Sequence, residues 1–511
     1  MRRRSSSFAE AAAVVVAFVA LVASCVTPSD TGTVTKQRVE VAPELAVVET
    51  CDVIVDVGDA AARGNLVARR HDYEIAAVSD GEAAFGARLA LATPEERFRA
   101  FHAERLKSPL STVGAYGECL VYANWPKMAD EAKKACAAAA AMPAMSAVLV
   151  DVARADSALV HDADSAAAIA IADAAIARSP TCAALHVSRA RAIAARGDAV
   201  VSRDAWASAS AAAPKCFRCL VEQAALEERL DTGPAGRATA SSLWERALRL
   251  APDHADTLRR FAAATAGVDD ARALRAWEAA VKAGARDYPT LLAVARLSTT
   301  LATTPAEYDA AMAHARRAAE AAREDPEPRR LLIESALKKG ALDDAAAAAR
   351  AVLALVPDDV LGNAAMARVA VARGVIVDAV VGYDAAVKAL DAGAAYDVAG
   401  ATTIRAEQRG LLERLGVDDS KRPKGSATAV ANHVQRALQN LWRTRIKTKG
   451  VTKGGVLVVV VETNADGSVA SSVVKADAVG DAEVAAAALA WLNRANISGG
   501  ARRHTLEFTL Q

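Results

Sequence analysis

The sequence predicts a mainly α-helical protein, in which a solenoid of helical hairpins is followed by a small α+β domain. Apolar residues make up 53% of the chain, although aromatic residues make up only 4%. Ala supplies much of the remainder, and Ala has the highest helix propensity. Proline recurs at regular intervals through the middle of the chain, which indicates a helical repeat. After about residue 425 a valine-rich strand pattern replaces the helical periodicity, and this change predicts the second domain.

Length and charge narrow the possible classes of function. A chain of 511 residues has room for about three domains. Its 62 Lys and Arg residues against 61 Asp and Glu residues give a net charge of +1, which argues against a dedicated nucleic-acid binder. The composition excludes disordered and collagen-like proteins. It also excludes a polytopic membrane protein, because a single apolar run approaches the length of a membrane span.

The N-terminal segment is predicted to direct the chain to a membrane surface. Arg2, Arg3 and Arg4 precede an apolar run at 11–24 that suits a secretory signal peptide and is short for a stable span. The run ends in Val-Ala-Ser before Cys25, which resembles the lipobox of bacterial lipoproteins. This resemblance implies cleavage after residue 24 and acylation of the Cys25 thiol. The alternative is an ordinary signal peptide or an uncleaved anchor.

Two further segments complete the predicted N-terminal part. Residues 25–45 are interpreted as the lipid attachment site and a polar tether, and residues 46–108 as a helical cap or a degenerate repeat. Val26, rather than Asp, follows the cysteine. In bacteria with two membranes, the lipoprotein resemblance then implies attachment to the outer membrane, facing the periplasm.

Residues 109–391 contain an internal repeat that is marked by proline. A set of eight prolines recurs at intervals of 31 to 38 residues, and each interval holds two helical stretches with a break that often contains glycine. The repeat prolines stand at positions 109, 143, 180, 214, 252, 289, 326 and 357. Because Gly commonly ends a helix and Pro commonly begins one, this spacing predicts stacked helical hairpins. Residues 392–424 are interpreted as a linker.

A bulky residue stands three positions before an alanine at the same place in four repeats. These bulky residues are Trp206, Trp244, Trp277 and Tyr383. The pattern resembles the tetratricopeptide repeat, in which small residues let two helices approach closely and a bulky residue fills the gap. The resemblance implies an α-solenoid of seven or eight units with a groove that binds other proteins. We interpret the four aromatic residues as core residues rather than as a cage for a ligand.

The C-terminal residues 425–511 read as helix, strand, strand, helix, strand. The corresponding ranges are 430–446, 455–461, 468–475, 481–494 and 504–510. The turn signal Asn-Ala-Asp-Gly at 464–467 joins the first two strands into a hairpin. Three strands with helices on one face can form an independent small core.

Several residues of this region match a known family. Gly455 leads into the valine strand, Asp466 and Gly467 form the hairpin turn, and an alanine run at 485–488 precedes Trp491. The region resembles the C-terminal domain of TonB, and more closely the related domain of myxobacterial gliding-motility proteins. The resemblance implies that the last strand is an edge that accepts a strand from a partner. The alternatives are that this strand only completes the domain or pairs with a second copy.

Six cysteines follow Cys25, and an even number in an oxidising compartment permits disulfides. Cys119 and Cys136 are a candidate pair, because they lie on the two helices of one predicted unit. Cys216 and Cys219 form a CxxC motif at a predicted helix start, where a structural disulfide, two packed thiols or a redox site are all possible. The βαβ context of thioredoxin-like enzymes is absent.

The segment from Lys421 to Lys453 carries nine positive charges and no acidic residue. It is interpreted either as a solvated basic surface or as a site for an acidic partner such as lipid headgroups, cell-wall polymer or a negative protein face. No nucleotide-binding, zinc-protease or nucleophile motif is present, so no catalytic, cofactor or metal residue is predicted. His161, Asp162 and Asp164 are interpreted as a polar loop rather than as a metal site.

Together these features predict a non-catalytic, membrane-anchored lipoprotein scaffold. It would bind other envelope proteins through the repeat groove and the TonB-like terminal module, with no cofactor and no nucleic acid. The alternative is a component of TonB-type energy-coupled transport that docks a receptor peptide. An exported thiol oxidoreductase that uses Cys216 is a third class.

Overall fold

The computed structural model describes residues 50–52, 54–55, 85, 88–89, 93–109, 111–142, 145–449 and 454–511. The predicted signal peptide, Cys25, the tether and most of the predicted cap lie outside these residues. The structure divides into two compact units, with the boundary in sequence between Ala163 and Asp164. The short described stretch from Cys51 to Val55 belongs to the second unit.

The described part of the first unit is helical. It contains α1 (Pro94–Lys107), α2 (Thr112–Ala123), α3 (Ala129–Ala140) and α4 (Ala147–Val160). Thr93 and Glu96 start α1 with a capping box, in which each side chain accepts a hydrogen bond from the other residue's backbone N–H. Phe85 stacks on Tyr116 with 5.6 Å between ring centroids, and Phe101 is buried beside them. Aromatic residues therefore supply much of this core.

In the second unit, α5 (Ser165–Arg178) precedes six helical hairpins. The hairpins are α6 (Ala183–Ala195) with α7 (Ala199–Ala212), α8 (Phe217–Leu230) with α9 (Pro234–Leu250), α10 (Ala255–Thr265) with α11 (Asp270–Lys282), α12 (Tyr288–Leu301) with α13 (Pro305–Ala321), α14 (Glu327–Lys339) with α15 (Leu342–Leu355), and α16 (Val360–Ala372) with α17 (Ile376–Asp391). The first helix of each hairpin begins within three residues of a repeat proline. Six of the seven or eight hairpins predicted from the proline spacing are therefore present in this unit.

Small residues and a few bulky ones pack the hairpins in the predicted way. Trp206, Trp244 and Tyr383 are buried, and the alanine three residues after each of them is completely buried. Trp277 is only partly buried, at the margin of the cluster around Trp244. Gly340 has a φ of 81° directly after α14, in the left-handed region that glycine adopts without strain at a helix end. Trp206, Trp244 and Tyr383 are therefore core residues, as predicted, whereas Trp277 lies at the edge of the core.

The terminal region has the predicted order of long elements. In chain order it contains β1 (Lys424–Gly425), α19 (Ala427–Lys449), β2 (Gly455–Thr463), β3 (Val469–Asp477), α20 (Ala482–Asn493), β4 (Asn496–Ile497) and β5 (Arg503–Leu510). β2 is the central strand, antiparallel to β3 on one side and to β5 on the other, while β1 and β4 form a short parallel pair. Leu457, Val459 and Val461 alternate along β2 and lie buried in a core shared with α19 and α20. The fold class is confirmed: mainly helical, with a small α+β region at the C-terminus.

Residues 392–424, which were predicted to be a linker, are folded into the core. They contain α18 (Val398–Arg414) and a turn of 3-10 helix at Asp419–Lys421. Ile404, Leu411 and Leu412 lie on one face of α18 and are buried in the same cluster as the last hairpin and the terminal sheet. The segment is therefore not a spacer, because its apolar face packs against the last hairpin, which precedes it in the chain, and against the terminal region, which follows it.

Candidate functional site

The terminal region and the last repeat helices enclose a cavity of about 900 Å³. Its walls are α17 and α18 on one side and β3 on the other, and Arg422 and Lys424 lie at the end between them. The repeats and the terminal region share one core, so the cavity has walls from both. It belongs wholly to the second unit.

A largely buried carboxylate connects the elements that line this cavity. Asp384 on α17 accepts hydrogen bonds from Arg494 (2.8 Å) and Asn493 (2.8 Å) at the end of α20, and from Gln408 on α18 (2.7 Å). The side chain of Arg494 is 9% exposed and that of Asp384 16% exposed, so this ion pair is largely shielded from water. Ser472 on β3 bonds to Asn493 at 2.5 Å and extends the network to the sheet. Four elements are thus fixed around one charge pair.

A second ion-pair network lies at the start of α20. Arg445 on α19 donates to both carboxylate oxygens of Asp481, at 3.0 and 3.2 Å, and also pairs with Glu483. Arg414 on α18 contacts Glu483 at 2.6 Å. Burial alone raises the pKa of Asp481, but hydrogen bonds and charge from Arg445, together with two backbone N–H groups, leave that pKa below its usual value. The Asp481 side chain also caps α20.

The predicted basic stretch is therefore not a single surface. Arg445 is 12% exposed and its charge is compensated inside the terminal region. Lys421 pairs with Asp418 at 2.9 Å, whereas Arg422 and Lys424 line the cavity. The side chains beyond residue 446 in this stretch lie outside the described part. Arg436 and Arg443 of the same stretch are exposed on α19. In the described part of the stretch, the positive charges therefore lie partly on this helix and partly at the cavity.

The predicted docking edge, strand β5, is partly covered. The side-chain amide of Gln435 on α19 donates to the Thr509 carbonyl oxygen at 2.5 Å, and the Thr509 N–H donates back to the Gln435 side-chain oxygen at 3.1 Å. These two bonds imitate the pairing of an added strand at this position. A partner strand could not pair with Thr509 without displacing Gln435.

The six cysteines in the described part of the chain lie in three disulfides. Cys119 and Cys136, the candidate pair, join α2 to α3 with 4.5 Å between Cα atoms. Cys216 and Cys219 are bonded to each other at the start of α8, with 5.3 Å between Cα atoms. Both sulfur-bearing residues are almost fully buried, at 1% and 0% exposure, which makes this CxxC an internal crosslink.

The third disulfide was not anticipated. Cys51 and Cys182 lie 131 residues apart in sequence and are bonded within the second unit, with 5.3 Å between Cα atoms. Cys182 occupies the N-cap of α6, the same repeat position that Cys216 occupies at α8. The two equivalent cysteines therefore use different partners, one distant and one local.

The remaining predicted features concern metal binding and membrane spans. His161 lies at the end of α4, where its Nε2 is 2.9 Å from the Tyr122 carbonyl oxygen, and Asp164 caps α5. Within the described ranges no group of three or more His, Cys, Asp or Glu side chains is arranged to hold a metal ion. None of the helices in these ranges is long and apolar enough to cross a membrane.

Comparison with known proteins yields structural neighbours only. The chain matches no known family model and no curated protein. YrrB, described as a TPR protein with an unusual peptide-binding site, is 17% identical over 37% of this chain and 93% of its own, with a TM-score of 0.32. The C-terminal part of a TPR repeat-containing protein from Cytophaga hutchinsonii is 11% identical over 47% and 98%, with a TM-score of 0.32. PilW, a type IV pilus biogenesis factor, is 17% identical over 44% and 98%, with a TM-score of 0.29.

Proposed function

We propose that this protein is a non-catalytic, lipid-anchored scaffold of the bacterial cell envelope that binds other envelope proteins. The observation that carries the proposal is the common core of the last repeat hairpin and the terminal region. A scaffold needs to present a binding surface of fixed geometry, and this core fixes the terminal sheet against the repeats. The helical repeats and the terminal module then act as one binding body.

Cysteine pairing supports export. Disulfides form and persist in oxidising compartments and are rare in the cytosol. The structure pairs all six cysteines in the described part of the chain, and one pair bridges 131 residues. This agrees with the signal peptide and lipidation at Cys25 that the sequence predicts. We propose attachment to the outer membrane on its periplasmic side.

Lipidation is tested by fractionating cells that express the full chain. We expect the wild-type chain in the membrane fraction and Cys25→Ala in the soluble periplasmic fraction, because the thiol that carries the lipid is lost. The double variant Cys216→Ala/Cys219→Ala is the matched control, since it also removes cysteine but leaves the anchor. Membrane retention of Cys25→Ala equal to the wild type would contradict the anchor.

The scaffold role is tested by crosslinking in cells followed by mass spectrometry of the captured proteins. We expect the same envelope proteins to be captured in replicate cultures, through residues of both the repeats and the terminal region. The Cys25→Ala variant is the control, because a chain released from the membrane should lose partners that are confined to it. Crosslinks to abundant periplasmic proteins alone, unchanged in Cys25→Ala, would oppose the scaffold role.

The alternative is a component of TonB-type transport that docks a receptor peptide on strand β5. Its basis is the resemblance of residues 425–511 to the TonB C-terminal domain, and this region folds in the order predicted from its residues: helix, strand, strand, helix, strand. Saturable binding of receptor-derived peptides to the full chain would support this function. Gln435 covers part of the β5 edge, so Gln435→Ala should strengthen such binding if it occurs there.

A further inference from the structure

The outer edge of β3 is the long strand edge that faces the cavity. The sheet order is β3-β2-β5, so within this sheet β3 pairs on one side with β2, and Ser468 directly before it forms an isolated bridge with Asn496. Residues 468–473 of this region line the cavity, opposite α17 and α18. An unpaired strand edge presents a row of backbone N–H and C=O groups to any extended chain beside it.

The direction of these backbone groups follows from the ladder itself. Both the N–H and the C=O of Thr509 bond to Gln435, so both point away from β2. Val456 stands opposite Thr509 and must direct its own groups to the other side, toward β3. It does so, because the N–H of Ala478 donates to the Val456 carbonyl oxygen at 3.0 Å.

The alternation then identifies the outward groups of β3. Two-residue steps along β2 direct Val460 toward β3, and its partner Val473 points back. Within the continuous register from Val474 to Ser471, Ser472 and Val474 therefore turn their backbone N–H and C=O away from β2. Ala470 lies at the register shift between Glu462 and Thr463, where the alternation is interrupted. The two outward positions lie about 7 Å apart, enough to pair two or three residues of an extended peptide.

The charged side chains that line the cavity indicate which charge an extended peptide bound beside β3 would carry. Six cationic side chains line it: Lys388, Arg405, Arg409, Arg422, Lys424 and Arg494. Among the described lining residues the carboxylates are Asp384 and Asp391, and both are already paired: Asp384 with Arg494 at 2.8 Å, and Asp391 with Arg405 at 2.7 Å. The lining thus carries an excess of positive charge beside the open strand edge. Such a site favours carboxylates on the bound chain.

We propose that an acidic segment of a partner protein binds in this cavity in an extended conformation, as a strand added to the outer edge of β3. Main-chain hydrogen bonds to Ser472 and Val474 supply the pairing, and carboxylates of the segment face Lys388 and Arg409 on the helices. This rests on the proposed scaffold function, for which it names the site and the chemistry of the partner. It places the binding edge on the opposite side of the sheet from β5, where Gln435 already occupies Thr509.

The charge requirement is tested by fluorescence anisotropy with the purified full-length chain. The probe is a labelled ten-residue peptide of alternating Glu and Thr, and the control replaces each Glu with Lys. We expect saturable binding of the Glu peptide that weakens as salt rises, and no binding of the Lys peptide. The double variant Lys388→Glu/Arg409→Glu should weaken binding at least tenfold. Equal binding of both peptides, or no loss in the double variant, overturns the proposal.

The strand edge is tested by proline substitution. Ser472→Pro removes an outward N–H and leaves the ladder to β2 intact, as is tolerated at a sheet edge. It is compared with Ser472→Ala, because both lose the hydroxyl bond to Asn493 and only the proline variant loses the N–H. For Ser472→Pro we expect at least tenfold weaker binding of the Glu peptide than for Ser472→Ala, with an unchanged circular dichroism spectrum. Glu507→Pro is the matched control, because Glu507 lies two residues before Thr509 on β5 and its N–H also points away from β2; binding should be retained.

The outcomes separate the alternatives. Loss of binding in Glu507→Pro but not in Ser472→Pro assigns the peptide to β5 and overturns the proposal. Loss in the charge variant but in neither proline variant indicates unpaired polyanion association and overturns it as well. If the Glu peptide does not bind while envelope proteins still crosslink to the chain, the β3 site is wrong and the scaffold function stands.

Discussion

The hairpins and the terminal region of the second unit bury their apolar residues in two different ways. In the hairpins, burial is divided among small clusters, each made by neighbouring helices; the cluster around Trp244 extends only from Phe217 to Trp277. In the terminal region one cluster runs from Val360 to Leu510 and includes the last hairpin, α18, α19, α20 and the sheet. The stability of each hairpin therefore depends on contacts with its nearest neighbours. The stability of the terminal region depends on one core to which all of its long elements contribute.

Side-chain size accounts for the difference. Stabilisation by burial grows with the apolar area removed from water, and an alanine removes little. Helices that meet through alanine come close together but gain only from the helix beside them. Valine strands backed by Leu438, Trp442 and Phe508 bring large side chains from distant parts of the sequence into contact. We therefore expect that a substitution of one core residue destabilises a longer part of the chain in the terminal region than in the hairpins.

The sharpest test replaces one buried tryptophan in each region with alanine. Trp244 is 0% and Trp442 is 1% exposed, so each change should cost about 3–5 kcal/mol of unfolding free energy. Hydrogen exchange measured by mass spectrometry should show faster exchange only in α8–α11 for Trp244→Ala. For Trp442→Ala it should show faster exchange from α16 through β5.

Trp277→Ala provides the control for this test. Its side chain is only partly buried, so the loss of stability should be smaller than for Trp244→Ala. Exchange in Trp244→Ala that spreads through the terminal region would mean that the hairpins and the terminal core unfold as one unit. The distinction between the two modes of packing would then be lost.

The junction between the regions is tested at its buried ion pair. Asp384→Ala removes the carboxylate that pairs with Arg494, whose side chain is 9% exposed, and breaking such a buried ion pair costs ~3 kcal/mol or more. Asp391→Ala is the matched control on the same helix, because its pair with Arg405 is exposed and worth about 0–1 kcal/mol. Denaturant midpoints of the two variants measure the difference. Equal midpoints would show that the Asp384 network does not hold the terminal region to the repeats.

The disulfides compare a distant crosslink with a local one at the same repeat position. Cys51→Ala/Cys182→Ala opens a loop of 131 residues and should cost about 5 kcal/mol, because the unfolded chain gains entropy. Cys216→Ala/Cys219→Ala opens a loop of three residues and should cost about 1–2 kcal/mol on the same reasoning. Thermal unfolding under non-reducing conditions measures both. A larger loss for the CxxC pair would show that native-state packing, rather than loop entropy, decides their contributions.

Local signals in the sequence were sufficient for the repeats and for the terminal elements. Proline near each hairpin start, alanine at the close-approach positions and the Asp-Gly turn at 466–467 act within a few residues of the structure they determine. Helix α18 was not predicted, because its apolar residues are buried only through contact with elements such as α17 and α20, and the sequence does not show these contacts.

The candidate site was hidden from sequence reasoning for the same reason. Asp384 and Arg494 are 110 residues apart, and Cys51 and Cys182 are 131 apart. No periodicity or spacing links residues that meet only after the chain folds back on itself. The basic stretch shows the converse error, since Arg445 is positive in sequence but is neutralised by Asp481 and Glu483, which belong to another element.

The smallest expected effect concerns acid stability, and it too separates the regions. The pKa of Asp481 is lowered in the folded protein by its bonds to Arg445. A lowered carboxyl pKa contributes stability above the unfolded value, about 3.9, and that stability is lost as the pH falls through the folded pKa. The stability of the terminal region against urea should therefore fall as the pH is lowered from 5 to 3. Asp481→Asn should make this dependence shallower.

Two features of the chain make this acid test decisive. Asn caps a helix about as well as Asp, so Asp481→Asn removes the charge that faces Arg445 and keeps the start of α20. Asp466→Asn is the matched control, because Asp466 also has a lowered pKa, through bonds from Ser468, but lies exposed in the hairpin turn away from any arginine pair. If both variants change the acid dependence equally, the network of Arg445 with Asp481 and Glu483 adds nothing that an exposed turn does not. The terminal core would then be held by its apolar residues alone.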